Sequence, residues 1–275
     1  MRIAVVAPGV RIEPAIAETA AAIAAAAHPE LELFFHPQCF LSWGHFAGTD
    51  EARAAALIEV ANDPAYAAVW FARGGYGACR VAEQVVGALG ASAREKLYLG
   101  YSDAGFLLAA LARAGFPRLA HGPMPVDLIR TKGERAVRRA LAYLAGKPGD
   151  GLEPHLAAGA RHAAFNITIL SHLLGTPLEP DLSDCVLMLE EVGEHHYRID
   201  RAMFQITSHP AVRRAAGIRL GRCSAIPPND PDFTQTEEDI FRFWCARAGI
   251  PYLGRADIGH DVENKIAPFG LWAGV

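Results

Sequence analysis

Short apolar runs alternate with helix-forming stretches through the first half of this chain, and that alternation constrains the fold more than any other feature. "RIAVVAP" (2–8) reads as a strand and residues 13–28 as an alanine-rich helix. "ELELFFHP" (30–37) reads as a second strand, and "TDEARAAALIEVAND" (49–63) as a helix with Thr49 or Asp50 as N-cap. The pattern repeats with "AAVWFARGG", a helix over 78–89, "KLYLG", a helix over 104–114, "RLAHGPM" and a helix over 132–145. Five strands separated by helices imply a parallel sheet covered on both faces. Ligands of such sheets bind beyond the carboxyl ends of the strands. Three unusual segments, "RGGYG", "GYSD" and "HGPM", fall at those ends.

After a Gly/Pro-rich stretch, "GKPGDGLEPH" (146–155), the pattern changes. "AAFNITILSHLLG" reads as a turn and short helix, "CVLMLEEV" as a buried strand and "YRIDRAMFQITSH" as a helix. "AAGIRLGRC" follows as a strand, 235–248 as an amphipathic helix, and "IPYLGRADIGH" as a strand running into a loop. The expected architecture is α/β, with an N-terminal parallel-sheet domain with flanking helices over 1–148. A smaller C-terminal α/β or β-rich domain would occupy 156–275.

Composition narrows the partners. With 51% hydrophobic and 20% charged residues the chain is globular, and a formal charge of −4 gives no attraction to nucleic acid. The alanine-rich stretch at 15–28 carries Glu18 and is too short to span a bilayer, so no membrane is expected as partner. "IAVVAPGV" starts a strand at once, with no export signal. The five cysteines are odd in number and lack CxxC spacing, which suits reduced thiols in a cytoplasmic protein.

Ser102 carries the chemical question. It lies between a buried strand and a helix, with Gly100 two residues before it and Ala104 two after. Small neighbours at those positions suit a sharp turn that exposes a nucleophile, and Ser102-Asp103 equally suits a helix N-cap. A serine nucleophile needs a base, and that imidazole needs a carboxylate. A glutamate near 190, in "LEEVGEHH", and His260, in "GHDVENK", would supply them. There is no H-E-x-x-H spacing, and His195 and His196 are adjacent, so neither a metal nor any other cofactor is expected.

Together these segments resemble the LD-carboxypeptidases of the serine-peptidase S66 type, a family that includes the microcin C immunity hydrolases. The resemblance runs through "VVAPG", "FAGTDEARAAALIEVANDP", "ARGGYG", "GYSD", "HGPM", "FNITILSHLLGTP", "LEEVGEHHYRIDR" and "GHDVENKIAPFG". It implies Ser102 as nucleophile, His260 as general base and Glu190 as the partner of the histidine. It also implies an oxyanion hole from the backbone N–H groups of Asp103 and Gly75. A cytoplasmic homodimer is implied, one that releases the terminal D-alanine from L,D-linked murein tetrapeptides in peptidoglycan recycling. Arg73, Arg80 and Lys265 are candidate cations for the substrate carboxylate. Three segments depart from the family pattern. The usual "GGNLS" is "AFNITI" here, which keeps Asn166 as a substrate-binding candidate. The usual Glu-Asp pair is Glu190-Glu191, and "PPNDPDF" (227–233) is short. An immunity-type hydrolase of aminoacyl-adenylate analogues would need an aromatic platform, for which that segment offers only Phe233. A non-catalytic muropeptide-binding protein would have no use for a complete Ser/Glu/His set.

Overall fold

A computed structural model describes residues 1–274. The first half contains β1 (Arg2–Val6), α1 (Pro14–Ala27), β2 (Glu32–Phe35), α2 (Asp50–Asn62), β3 (Ala68–Phe71) and α3 (Ala78–Gly87). It continues through α4 (Ala91–Arg94), β4 (Leu97–Gly100), α5 (Gly105–Arg113), β5 (Leu119–His121) and α6 (Glu134–Leu144). Strands β3, β4 and β5 are buried at every position, as expected of strands covered on both faces. Thr49 caps α2, its hydroxyl accepting from Ala52 N–H at 3.2 Å.

The second half contains β6 (Arg161–Asn166), α7 (Ile167–Leu173), β7 (Cys185–Val192), α8 (His196–Ser208), β8 (Gly217–Ser224), α9 (Glu237–Ala248) and β9 (Tyr252–Arg255). Two short strands, β10 (Ala267–Pro268) and β11 (Gly270–Leu271), end the chain. One sheet has the order β10-β5-β4-β3-β1-β2, the other β11-β6-β7-β8-β9. Among the described residues, the only antiparallel strand in each is the terminal two-residue one, β10 on β5 and β11 on β6.

Three sequence expectations need correction. The stretch read as turn and helix from 163 is a strand up to Asn166 before the helix begins. A short apolar run that is buried on both faces has no period to separate strand from helix. The N-terminal sheet also gains a sixth strand from residues 267–268, so the chain returns to its first layer between β9 and β11 of the second. Lastly, the 146–155 stretch, whose Gly/Pro content reads as a linker, is packed into the fold. Leu152 bridges to Ile266, and Glu153 is buried, accepting from the N–H groups of His155 and Asp257.

Candidate active site

At the end of β4 the backbone reverses sharply. Ser102 takes φ +60°, a left-handed conformation costly for a residue with a side chain, and passes through a 3-10 turn into α5. The turn fits only because its surroundings are pared away. A Cβ at Gly100 would lie 2.7 Å from Phe71 Cδ2 and 3.3 Å from Ala104 Cβ. The loop after β3 runs alongside the serine, since a Cβ on Gly74 would lie 2.9 Å from Ser102 Oγ. The cramped junction therefore presents the Ser102 hydroxyl to the 72–77 loop.

That loop is held from two sides. Asp103, buried under the turn, accepts a hydrogen bond from Ala78 N–H at 2.9 Å, joining the serine turn to the first turn of α3. Burial pushes the Asp103 carboxyl above its ordinary pKa, and the N–H groups of Ala78 and Gly77 act in the opposite direction. From below, Arg53 of α2, fully buried, donates to Gly77 O at 2.9 Å and also to Pro8 O and Asp50. Its guanidinium also lies 4.7 Å from the Phe46 ring centroid. Gly75 and Gly77 take φ +96° and +139°, which a side chain would oppose. The N–H groups of Gly75 and Asp103 meet no acceptor among the described residues.

The C-terminal half delivers the other two groups. Glu190 is fully buried at the end of β7, and its Oε2 lies 2.5 Å from His260 Nδ1. A carboxylate can only accept, so the neutral imidazole carries its proton on Nδ1 and leaves Nε2 free. The β7–β8 register shifts between Leu189 and Glu191, and Gly221 on β8 makes room there. A Cβ at Gly221 would lie 2.8 Å from Glu190 Cβ. Burial alone would lower the His260 pKa, but the charge and hydrogen bond of Glu190 outweigh it and raise the group above 6.5.

The His260 loop is tied down on both flanks. Asn264 Oδ1 accepts from Gly259 N–H at 3.1 Å, and Arg222 makes a bidentate pair with Asp261. Arg139 of α6 donates to the carbonyls of Val262 and Asn264, at 3.0 and 2.8 Å, anchoring this loop to the N-terminal layer. The Tyr101 ring, next in chain to Ser102, lies 4.8 Å from the His260 ring centroid. No hydrogen bond joins Ser102 Oγ to His260 itself. Such contacts are often long in a ligand-free enzyme and close when substrate binds.

The remaining candidates from the sequence have other partners. Glu191 accepts from Asn166 Nδ2 (2.6 Å), Thr168 N–H (2.9 Å), Thr168 Oγ1 (2.7 Å) and Val192 N–H (2.8 Å). Asn166 in turn caps α7. Arg80 pairs with Asp50 at 2.6 Å, Lys265 Nζ reaches Asp150 O at 2.5 Å, and Arg73 donates to Arg11 O at 3.3 Å. Phe233 is stacked on His196, with ring centroids 6.1 Å apart.

Sequence reasoning missed Arg130, whose charge opposes protonation of His260 and whose Nε donates to Asp127 Oδ1 at 3.0 Å. Tyr101 OH donates to the same carboxylate at 2.6 Å. The Asp127-to-Arg130 spacing, i to i+3 just after "HGPM", was the available signal. Arg53 and Gly221 were missed as well.

Comparison with known proteins gives a consistent picture. Residues 3–122 match the LD-carboxypeptidase N-terminal domain and residues 161–275 the LD-carboxypeptidase C-terminal domain. A Synechocystis protein named a carboxypeptidase is 32% identical over 87% of this chain and 79% of its own length. The murein tetrapeptide carboxypeptidase of Pseudomonas aeruginosa is 29% identical, over 83% of this chain and 78% of its own. The crystal structure of muramoyltetrapeptide carboxypeptidase from Oxalobacter formigenes superposes with TM-score 0.82 at 24% identity, covering 98% of this chain and 93% of that one. The microcin C7 self-immunity protein MccF, in complex with aspartyl sulfamoyl adenosine, shares the fold at TM-score 0.79 and 15% identity. That match covers 98% of this chain and 91% of MccF.

Proposed function

Because this chain belongs to the LD-carboxypeptidase family, we propose that it is a serine carboxypeptidase that releases the terminal D-alanine from L,D-linked murein tetrapeptides. The observation that carries the reading is the buried Glu190–His260 pair, set against Tyr101 beside the left-handed Ser102 turn. In the proposed reaction Ser102 Oγ attacks the carbonyl before D-alanine while His260 Nε2 takes its proton. Glu190 holds Nδ1–H and balances the imidazolium charge. The N–H groups of Gly75 and Asp103 receive the oxyanion, each well-placed donor contributing about 3–4 kcal/mol to the transition state. His260 then protonates the departing amine, and water cleaves the acyl-enzyme.

The proposed units are 1–148, carrying the nucleophile, and 156–275, carrying Glu190 and His260; strands β1–β5 and β6–β9 support that division, while β10 crosses it. Among the described residues no helix is long and apolar enough to cross a membrane. A cytoplasmic setting is supported by five cysteines that are all free. A homodimer is supported by the family resemblance and by the exposed Phe204 and Phe243, which flank Trp244 on α8 and α9.

The test is D-alanine release. The protein should act on an L,D-tetrapeptide muropeptide and spare a D-Ala-D-Ala terminus. Equal release from both, or release from the pentapeptide alone, contradicts the proposal.

A further inference from the structure

Ser102 follows β4 of the first sheet, whereas His260 follows β9 of the second and Glu190 lies on β7. Nucleophile and base thus reach the site from different layers. Among the described residues no hydrogen bond joins their side chains, so other contacts set their relative position. Glu190 does part of this. One hydrogen bond at Nδ1 fixes an edge of the imidazole and not its plane, and the last torsion of a histidine is soft. A change of plane swings Nε2, the atom that must meet the serine proton.

The plane of His260 is met by Tyr101. The two ring centroids are 4.8 Å apart with the planes at 51°, within the range of packed aromatic pairs, and both side chains are buried. Tyr101 is itself anchored. Its hydroxyl donates to Asp127 Oδ1 at 2.6 Å, and the same buried carboxylate accepts from Arg130 Nε at 3.0 Å and Met124 N–H at 2.9 Å. Burial, and next the Asp127 charge, raise the Tyr101 phenol well above its ordinary pKa, so it stays a donor. The His121 ring packs 5.4 Å from Tyr101, and burial pushes that imidazole down to about 3. His121 therefore remains neutral while His260 takes up its proton. The backbone ties the tyrosine to the nucleophile. Tyr101 is extended at φ −154°, and the next residue is Ser102 at φ +60°.

We propose that Tyr101 is a positioning residue whose ring, tethered through Asp127, sets the plane of His260 relative to Ser102. It acts through the imidazole and moves no proton itself. The proposal rests on the reading of Ser102 as nucleophile and His260 as its base.

Tyr101→Leu removes the ring, while Tyr101→Phe keeps the ring and loses the tether. The test compares kcat and KM on the tetrapeptide, the rate of fluorophosphonate labelling of Ser102, and the downfield proton resonance of His260 Nδ1–H. A base misplaced by about 1 Å predicts that Tyr101→Leu lowers kcat and labelling rate together by about 100-fold, with KM within about two-fold. Tyr101→Phe should lose about five-fold, the worth of one hydrogen bond. The Nδ1–H resonance should persist in both, because Glu190 still holds that proton. A merely structural role would lower thermal stability and leave labelling of the folded protein unchanged. Wild-type labelling and kcat in Tyr101→Leu overturn the proposal, as does a Tyr101→Phe protein as slow as Tyr101→Leu. Loss of the resonance overturns it too, since Tyr101 would then support the Glu190–His260 bond and not the ring plane. If Tyr101→Leu does not fold, Tyr101→Phe decides, and labelling at the wild-type rate overturns the tether. A wild type that labels Ser102 but cleaves no tetrapeptide removes only the substrate, and the labelling rates still decide. A wild type in which Ser102 is not labelled removes the triad and this proposal with it.

Discussion

Glu190 Oε2 lies 2.5 Å from His260 Nδ1, while the next residue, Glu191, turns to the opposite side of β7 and holds the start of α7. Adjacent side chains on a strand face opposite ways, so the two glutamates have separate duties. Glu190→Gln should keep the fold and lower kcat by about 10⁴-fold, through loss of tautomer control and counter-charge. Glu191→Gln should retain most turnover but cost about 1–3 kcal/mol of stability, because buried donors of Asn166 and Thr168 lose a charged acceptor. Steady-state kinetics and thermal unfolding of the two variants separate these roles.

The pH dependence follows from the same pair. His260 must be neutral to act as base, and its pKa is raised because Glu190 outweighs the effect of burial. The acid limb of kcat/KM should therefore have its midpoint above 6.5. Removing the carboxylate in Glu190→Gln leaves burial unopposed, and the limb should move to lower pH. For stability, a raised folded-state pKa contributes fully below the unfolded value and is lost as pH rises through the folded one. A pH–rate profile whose midpoint is the same in both proteins contradicts this.

Gly221 fixes the space in which Glu190 sits beside His260. An added methyl would press on Glu190 Cβ from 2.8 Å. Gly221→Ala should cost about 1–3 kcal/mol by overpacking, and it should lower kcat by displacing the carboxylate from His260. Normal kcat in a folded Gly221→Ala protein would show that Glu190 has more freedom than this packing allows.

Arg53 supports from beneath the 72–77 loop, the proposed oxyanion loop. Arg53→Met removes the bonds to Pro8 O and Gly77 O while Asp50 keeps Arg80, and each buried carbonyl left without a donor costs about 1–3 kcal/mol. In whatever fraction folds, the proposed role of the loop in the transition state predicts that kcat falls more than KM rises. Arg53→Lys should recover part of both. A variant that folds with wild-type kcat assigns Arg53 to stability alone.

Much of this was legible in the sequence, for identifiable reasons. Strands β1 to β5 announce themselves because each is a short apolar run set off by a helix of clear period. Ser102 could be singled out because Gly100 and Ala104 mark a turn with no space to spare. What escaped depends on contacts between segments far apart in the chain. Arg53 sits in "DEARAAALIE", where an arginine reads as exposed, and only the fold closes Pro8, Phe46 and Gly77 around it. Gly221 looks like an ordinary strand glycine until Glu190 arrives from the neighbouring strand. Strands β10 and β11 have two residues each, too few for any period, and exist because β5 and β6 offer free edges.

The central claim is that Ser102 is a nucleophile activated by His260 and Glu190. Peptide mapping by mass spectrometry after treatment with a fluorophosphonate tests it most directly. The account predicts a single phosphonyl adduct on Ser102, formed more slowly when murein tetrapeptide is present and strongly suppressed in His260→Ala and Glu190→Gln. An adduct on another residue, or labelling of Ser102 at an undiminished rate in both variants, contradicts it.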